Sequence, residues 1–205
     1  MAGFTRLTAT AALLPGANID TDVIMPKQFL KGIDRAGLAR GLFHDLRFAA
    51  DGARRAGFVL NRPGMADCRI LLTGPNFGCG SSREHAVWGM LQYGIRAVIG
   101  TSFGAIFADN AANNGLLLIS LAPDALANLM EAVAGGAAEL TIDLESQQIV
   151  ADALTVPFAI EKSQRRAIML GLDRIGETLM LFDRIRAFEA DYLAAAPWLL
   201  DDQPG

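Results

Sequence analysis

The residues best equipped for chemistry lie together in one short run, Asn76-Phe77-Gly78-Cys79-Gly80-Ser81-Ser82-Arg83-Glu84-His85. A glycine hinge delivers two hydroxyls, a guanidinium and an imidazole to what reads as the start of a helix. A helix N-terminus presents unsatisfied N–H groups and about half a positive charge, so it favours an anion. Arg83 adds a planar fork that matches a carboxylate in two parallel hydrogen bonds. Together these groups suit a small carboxylate or phosphate. Ser81 carries a second reading, because Ser81 and Glu84 have the spacing of a capping box. In that reading Ser81 only begins the helix. In the chemical reading its alkoxide, stabilised by helix N–H groups and the guanidinium as in an oxyanion hole, removes a proton next to a substrate carboxylate.

Other candidates are weaker. Asn18-Ile19-Asp20-Thr21-Asp22 places two carboxylates ahead of the apolar Val23-Ile24-Met25, read as a short strand; an Asx turn explains Asp20 more readily than Asp22. Gln28-Phe29-Leu30-Lys31 ends in an isolated cation. Cys79 and His85 are close enough in sequence for a thiolate–imidazole pair, yet no orienting third group is evident. Cys68 and Cys79 share no ligand-like spacing with any histidine. His44 reads as a solvated histidine.

Around this loop the chain reads as strand, helix, strand, helix, strand. Ile70–Thr73 opens as a buried strand. A helix follows with Val87, Met90 and Leu91 on one face and Gly94 as its stop. Strand 97–100, a helix over 102–113 and strand 116–119 complete the alternation, which argues for a parallel sheet with covered faces. Before it, Leu7–Leu13 reads as an edge strand and Gly41–Phe48 as a short helix. After it come a helix over Pro123–Val133 ended by Gly135-Gly136, a hairpin of 140–144 and 148–151 around Glu145-Ser146, and an edge strand from Leu154 demoted by Pro157. Lys162–Leu170 reads as an amphipathic helix, 173–188 as one or two more, and 195–205 as a tail. Without repeats or a low-complexity linker, 1–205 is expected to be one α/β domain.

Composition narrows the function classes. Of 205 residues, 52% are hydrophobic and the net charge is −4. That suffices for a sizeable core, and without a Lys/Arg block it disfavours nucleic acid. No apolar run approaches the roughly 20 residues of a membrane span, and residues 1–14 lack the apolar centre of a signal peptide. A soluble cytoplasmic protein is expected, with no membrane partner.

The loop Asn76–Ala86 resembles the signature of the aconitase superfamily's swivelling domain. Asn18–Lys31, Phe58-Val59-Leu60-Asn61, Asn113–Leu117 and Gly171–Leu179 extend the resemblance to the small-subunit family of bacterial 3-isopropylmalate dehydratases, over about Leu7 to Phe188. The resemblance implies a swivelling β/β/α fold, with a mostly parallel central sheet, flanking helices and an added hairpin. It implies a hydro-lyase subunit, inactive alone, that isomerises 2-isopropylmalate to 3-isopropylmalate in leucine biosynthesis. The [4Fe-4S] cluster is then expected on a large partner subunit and no cofactor in this chain, in keeping with its two cysteines. By motif position the resemblance implies that Ser81 is the base, that Arg83 binds a substrate carboxylate with Ser82 beside it, and that Asp22 is the active-site aspartate, orienting Arg83 or its neighbours. Leu30 and Lys31 fall in the segment that reads the substrate's side chain, and either can face it. Superfamily members acting on citramalate-, dimethylmalate- or homoaconitate-like substrates share the same signature. A non-catalytic dicarboxylate-binding module is the reading from another class, in which Arg83 matters and Ser81 does not.

Overall fold

Seven strands form one sheet in the order β4-β3-β2-β1-β5-β6-β7. They are β1 (Arg6–Leu14), β2 (Cys68–Thr73), β3 (Ala97–Gly100), β4 (Leu117–Ser120), β5 (Glu139–Asp143), β6 (Gln148–Ala151) and β7 (Leu154–Pro157). The computed structural model describes residues 3–31, 36–134 and 138–199. The helices are α1 (Thr21–Ile24), α2 (His44–Arg47), α3 (Glu84–Tyr93), α4 (Ala105–Asn114), α5 (Pro123–Val133), α6 (Lys162–Leu170), α7 (Arg174–Leu179) and α8 (Phe182–Ala195).

The sheet has two halves that meet at β1. On one side β1, β2, β3 and β4 run parallel, joined through α3 and α4. On the other side β5, β6 and β7 form an antiparallel meander. The expected hairpin is thus extended by one strand, with Pro157 closing the edge strand β7, where the missing N–H is tolerated. The reading of Leu7–Leu13 as an edge strand is overturned. β1 is central, and its alternation is weak because both of its faces are covered: Ala9 and Ala11 enter one core and Ala12 the other.

Period-two alternation divides the parallel strands between those cores. Ile70, Leu72, Ile99 and Ile119 face α5, whose Leu126, Leu129 and Val133 share their cluster with Leu140, Ile142 and Ile149 of the meander. Leu71 and Val98 face Val87 and Met90 of α3 and Phe107 and Ala111 of α4. The irregular 36–68 stretch joins the second core through Leu42, Phe43, Val59 and Leu60. Helical structure in 41–48 is confined to the single turn α2, after Phe43 takes the left-handed conformation (φ 49°).

Val23-Ile24 is a helical turn rather than the expected strand. Asp20 caps α1, its Oδ1 accepting from the Val23 N–H at 2.8 Å, and Pro26 stops further winding just beyond. The 173–188 stretch resolves into α7 and α8, and α8 continues to Ala195, followed by a 3-10 turn at Pro197–Leu199. α8 and this turn thus carry the chain to Leu199. Residues 200–205, and the Gly135-Gly136 stop, lie outside the described residues.

Candidate active site

The loops that leave the C-terminal ends of the neighbouring strands β1 and β2 are bonded to each other. In an α/β sheet that end of the strands is where ligands are usually met. Asn18 N–H donates to Pro75 O (2.9 Å), Gly78 N–H to Ile19 O (2.8 Å) and Thr21 N–H to Cys79 O (2.9 Å). The Thr21 hydroxyl, 1% exposed, donates to the backbone oxygen of Ser81 at 2.8 Å. Asn76 ties in from its side chain to Asn18 Oδ1 (2.8 Å), and its N–H donates to Ser102 Oγ (2.9 Å). The backbone under Ser81 is therefore held on both sides by α1 and its flanks. Thr21 has no place among the sequence candidates, although it sits between the two aspartates that do.

Ser81 does not cap α3. The helix begins three residues later, with Arg83 at its N-cap in an extended conformation (φ −125°, ψ 95°) and no side-chain cap bond. Glu84, the other half of the supposed capping box, is committed elsewhere. Its Oε1 accepts from Asn114 Nδ2 at 2.6 Å, while Asn114 Oδ1 accepts from Trp88 Nε1 at 2.9 Å. These bonds lash α3 to the end of α4. Ser81 and Ser82 are both exposed, and neither hydroxyl has a hydrogen-bond partner among the described residues.

Arg83 and Asp22 are brought together as an ion pair, Nη1 to Oδ1. The same Nη1 donates to Met25 O at 3.4 Å. The arginine side chain is only 11% exposed and that of Asp22 is 44% exposed. A pair so open on one side is screened by solvent and adds little stability; its consequence is that the guanidinium is held in one place. The remaining N–H groups of the fork have no partner among the described residues, which leaves donors for a carboxylate.

Backbone conformation favours glycine at both Gly78 and Gly80, and packing adds to it at Gly78. Both take positive φ, at 74° and 90°. The space a side chain would need at Gly78 is filled by the Phe107 ring, and at Gly80 the nearest atom is Cβ of Asp20. His85 stacks against Trp88 with ring centroids 4.8 Å apart. No hydrogen bond joins it to Cys79 among the described residues, so the thiolate–imidazole reading has no geometry behind it. Cys68 is 1% exposed, and burial pushes its thiol up to about 11. Neither cysteine belongs to a group of three metal-ligating side chains among the described residues, so the thiols of this chain do not fit an iron–sulfur cluster.

Leu30 and Lys31 follow the 3-10 turn Lys27–Phe29. Leu30 is half-buried and packs with Phe29 against the second core, whereas Lys31 is exposed. No hydrogen bond or ion pair joins either to Ser81 or Arg83 among the described residues.

The chain is similar to known proteins over nearly its whole length. Residues 1–124 match the profile of the aconitase C-terminal domain, and residues 175–202 match that of the C-terminal domain of the 3-isopropylmalate dehydratase small subunit. The small subunit 1 of 3-isopropylmalate dehydratase from Chromobacterium violaceum is 52% identical over 96% of this chain and 93% of its own length. The corresponding small subunit in Caulobacter vibrioides is 48% identical over 97% and 99%. A crystal structure of 3-isopropylmalate dehydratase from Methanocaldococcus jannaschii superposes with a TM-score of 0.65 at 27% identity, covering 90% of this chain and 99% of that one. With nearly its whole length in common with these relatives, the chain belongs to the family of 3-isopropylmalate dehydratase small subunits.

Proposed function

We propose that this chain is the small subunit of a two-subunit hydro-lyase that converts 2-isopropylmalate to 3-isopropylmalate by dehydration and rehydration, and that it supplies the base and a carboxylate clamp. The observation that carries this reading is the fixed guanidinium of Arg83, paired with Asp22, two residues beyond the exposed, uncapped hydroxyl of Ser81. A clamp with free donors and a serine with no structural duty are what proton abstraction beside a carboxylate requires.

In this mechanism Arg83 takes one substrate carboxylate in its fork, with Ser82 as an adjacent donor. Asp22 keeps the fork from swinging into solvent. Ser81, as alkoxide, accepts a proton from the methylene carbon of 2-isopropylmalate. That electron pair forms the double bond as the hydroxyl leaves the neighbouring carbon, the one that bears the isopropyl group, and departs as water with a proton drawn from solvent. Addition of water in the opposite sense, with hydroxide joining the former methylene carbon and Ser81 returning its proton to the carbon that bears the isopropyl group, completes the isomerisation. The [4Fe-4S] cluster expected on the large subunit would act as the Lewis acid for the departing hydroxyl. The positive charge near Ser81 is that of Arg83 itself, since α3 begins only after it and a helix dipole acts within its first turn. In this reading the segment of Leu30 and Lys31 meets the rest of the substrate, Leu30 suiting the isopropyl group or Lys31 a second carboxylate.

The test is reconstitution. The purified chain is expected to be silent with 2-isopropylmalate, and to turn it over once a cluster-loaded large subunit of this family is added anaerobically, followed by the ultraviolet absorbance of the unsaturated dicarboxylate intermediate. Ser81→Ala is expected to abolish turnover while leaving the unfolding midpoint within about 0.5 kcal/mol of the parent, the usual range for a surface position without a structural role. Turnover by the chain alone, or normal turnover by Ser81→Ala in the complex, would refute the proposal.

A further inference from the structure

A cleft of about 540 Å³ opens beside α2, away from Ser81 and Arg83, neither of which lines it. Three arginines, Arg40, Arg47 and Arg54, share its wall with the rings of Phe29, Phe48 and Tyr93. An adjoining hollow of about 260 Å³ shares Arg47, Arg54 and Tyr93 and adds Arg62. On a chain of net charge −4 this is a local concentration of positive charge. None of these arginines has an ion-pair partner among the described residues. Asp45 accepts from His44 Nδ1 (3.1 Å), on the same cleft wall, and from Gln28 Nε2 (3.4 Å), and Asp51 accepts from the Ala53 N–H (2.9 Å); neither forms an ion pair with these arginines among the described residues.

Arg47 is the informative member. It is 7% exposed, and Nη1 donates to Ala39 O and Leu42 O, each at 3.1 Å. Those bonds account for a structural role, pinning the segment that carries Leu42 and Phe43 into the core. They do not account for Nε, which is buried without a partner, nor for two further guanidinium groups at the same cleft. The Arg47 guanidinium carbon lies 5.0 Å from the Phe48 ring centre and 4.8 Å from that of Tyr93, contacts that favour a cation. Burial pulls its pKa down, against an opposing effect of the Tyr93 hydroxyl, and the charge of Arg54 adds to the lowering. A buried cation without a counter-charge, beside a second cation, is costly, and an anion seated between them removes that cost.

We infer that this cleft is a second ligand site, built for a small organic anion whose carboxylate or phosphate head is held by Arg40, Arg47 and Arg54 while its apolar body lies against Phe29, Phe48 and Tyr93. The volume is that of a small-molecule pocket, for which 300–1,000 Å³ is about the usual range. The site is independent of the proposed role of Ser81, but it is not remote from it in sequence: Phe29 stacks on His44 at a centroid distance of 4.9 Å and is followed directly by Leu30 and Lys31.

The test is titration of the full-length 15N-labelled chain, and of its complex with a large subunit of this family, with phenyl phosphate, benzoate, inorganic phosphate and acetate. Saturable shifts confined to the cleft are expected with phenyl phosphate or benzoate, and whichever binds identifies the head group. The probe carrying the ring is expected to bind about tenfold more tightly than its bare head. The double variant Arg40→Gln/Arg54→Gln changes only exposed side chains and is expected to weaken binding at least about tenfold with an unchanged melting temperature. Arg83→Gln is expected to leave the affinity within about twofold, so failure of the proposed catalytic role and failure of this site are distinguishable. No saturable binding up to about 20 mM, well above a millimolar dissociation constant, would overturn the inference. So would weakening by Arg83→Gln in place of the cleft variant, or displacement of the probe by the large subunit, which would make the cleft part of an interface.

Discussion

Replacing Gly78 by alanine tests whether the loop that carries Ser81 is held by packing. Gly78 has φ 74°, and a Cβ there would sit 2.3 Å from Phe107 Cγ, 2.6 Å from its Cδ1 and 2.8 Å from its Cβ. Phe107 cannot easily yield. It is 2% exposed and meets Phe77 edge-on at a centroid distance of 5.5 Å. Two costs add. A left-handed non-glycine residue costs roughly 1–2 kcal/mol, and overpacking a filled core about 1–3 kcal/mol, so the expected loss is about 2–5 kcal/mol. Two other glycines separate the terms. Gly52 has φ 82° with nothing within 4 Å of its added Cβ, and Gly57 has neither positive φ nor a neighbour. Urea unfolding at constant slope is expected to place Gly57→Ala within about 0.5 kcal/mol of the parent. Gly52→Ala is expected to lose about 1–2 kcal/mol, and Gly78→Ala clearly more. If Gly78→Ala costs no more than Gly52→Ala, the Phe107 contact does not hold the loop and the reasoning fails.

Three further outcomes follow from the same geometry. Asp20→Ala removes the cap on α1 and should cost about 1 kcal/mol by urea unfolding, whereas Asp20→Asn, which can still accept from Val23, should stay within about 0.5 kcal/mol; equal losses would mean that the charge matters rather than the cap. Asp22→Asn is expected to lower kcat/KM of the reconstituted enzyme about 10–100-fold, with a stability change below about 1 kcal/mol because the carboxylate is half exposed; an unchanged rate would show that Arg83 needs no partner to stay aimed. The Cys68 thiol, raised from 9.0 to about 11 by burial, keeps its proton in the folded chain over a range where the unfolded chain loses it. Its stabilising contribution is therefore complete below pH 9 and is lost as the pH rises from 9 to about 11, roughly 2–3 kcal/mol over that window. Under reducing conditions Cys68→Ala should show a shallower alkaline decline than the parent, and parallel declines would rule the thiol out as its source.

The sequence was most legible where structure is local and periodic. Strand 97–100, helix 123–133 and helix 162–170 have the same bounds in the fold, because each combines an apolar period with Pro or Gly punctuation, and strand 148–151 does so from its alternation and the polar turn before it. It was least legible where tertiary partners decide. Leu7–Leu13 reads as an edge only until Ile70–Leu72 and Leu140–Ile142 are seen to cover both its flanks. Val23-Ile24 is too short for its period to tell strand from helix, and the Asp20 cap decides it. At the site, the loop and the pairing of Asp22 with Arg83 follow from motif resemblance, and the structure brings those two residues together. Thr21 was missed because a threonine between two aspartates carries no sign that its hydroxyl will reach a backbone oxygen sixty positions away.

The failed capping box bears most directly on mechanism. Spacing alone makes Ser81 and Glu84 partners, and in that arrangement the serine hydroxyl would be occupied by a helix N–H and poorly placed to act on a substrate. Asn114 removes the conflict by accepting Trp88 Nε1–H and donating to Glu84, which fixes the start of α3 from the far end of α4. The helix then needs no serine to begin it. Thr21, in turn, fixes the backbone of Ser81 through its carbonyl and leaves the side chain uncommitted. Two structural duties that a single serine would otherwise combine are thus divided between Asn114 and Thr21. In the proposed function, an exposed hydroxyl on an immobilised backbone, next to a guanidinium held in one place by Asp22, acts when the large subunit closes over it, and this chain then supplies half of a site.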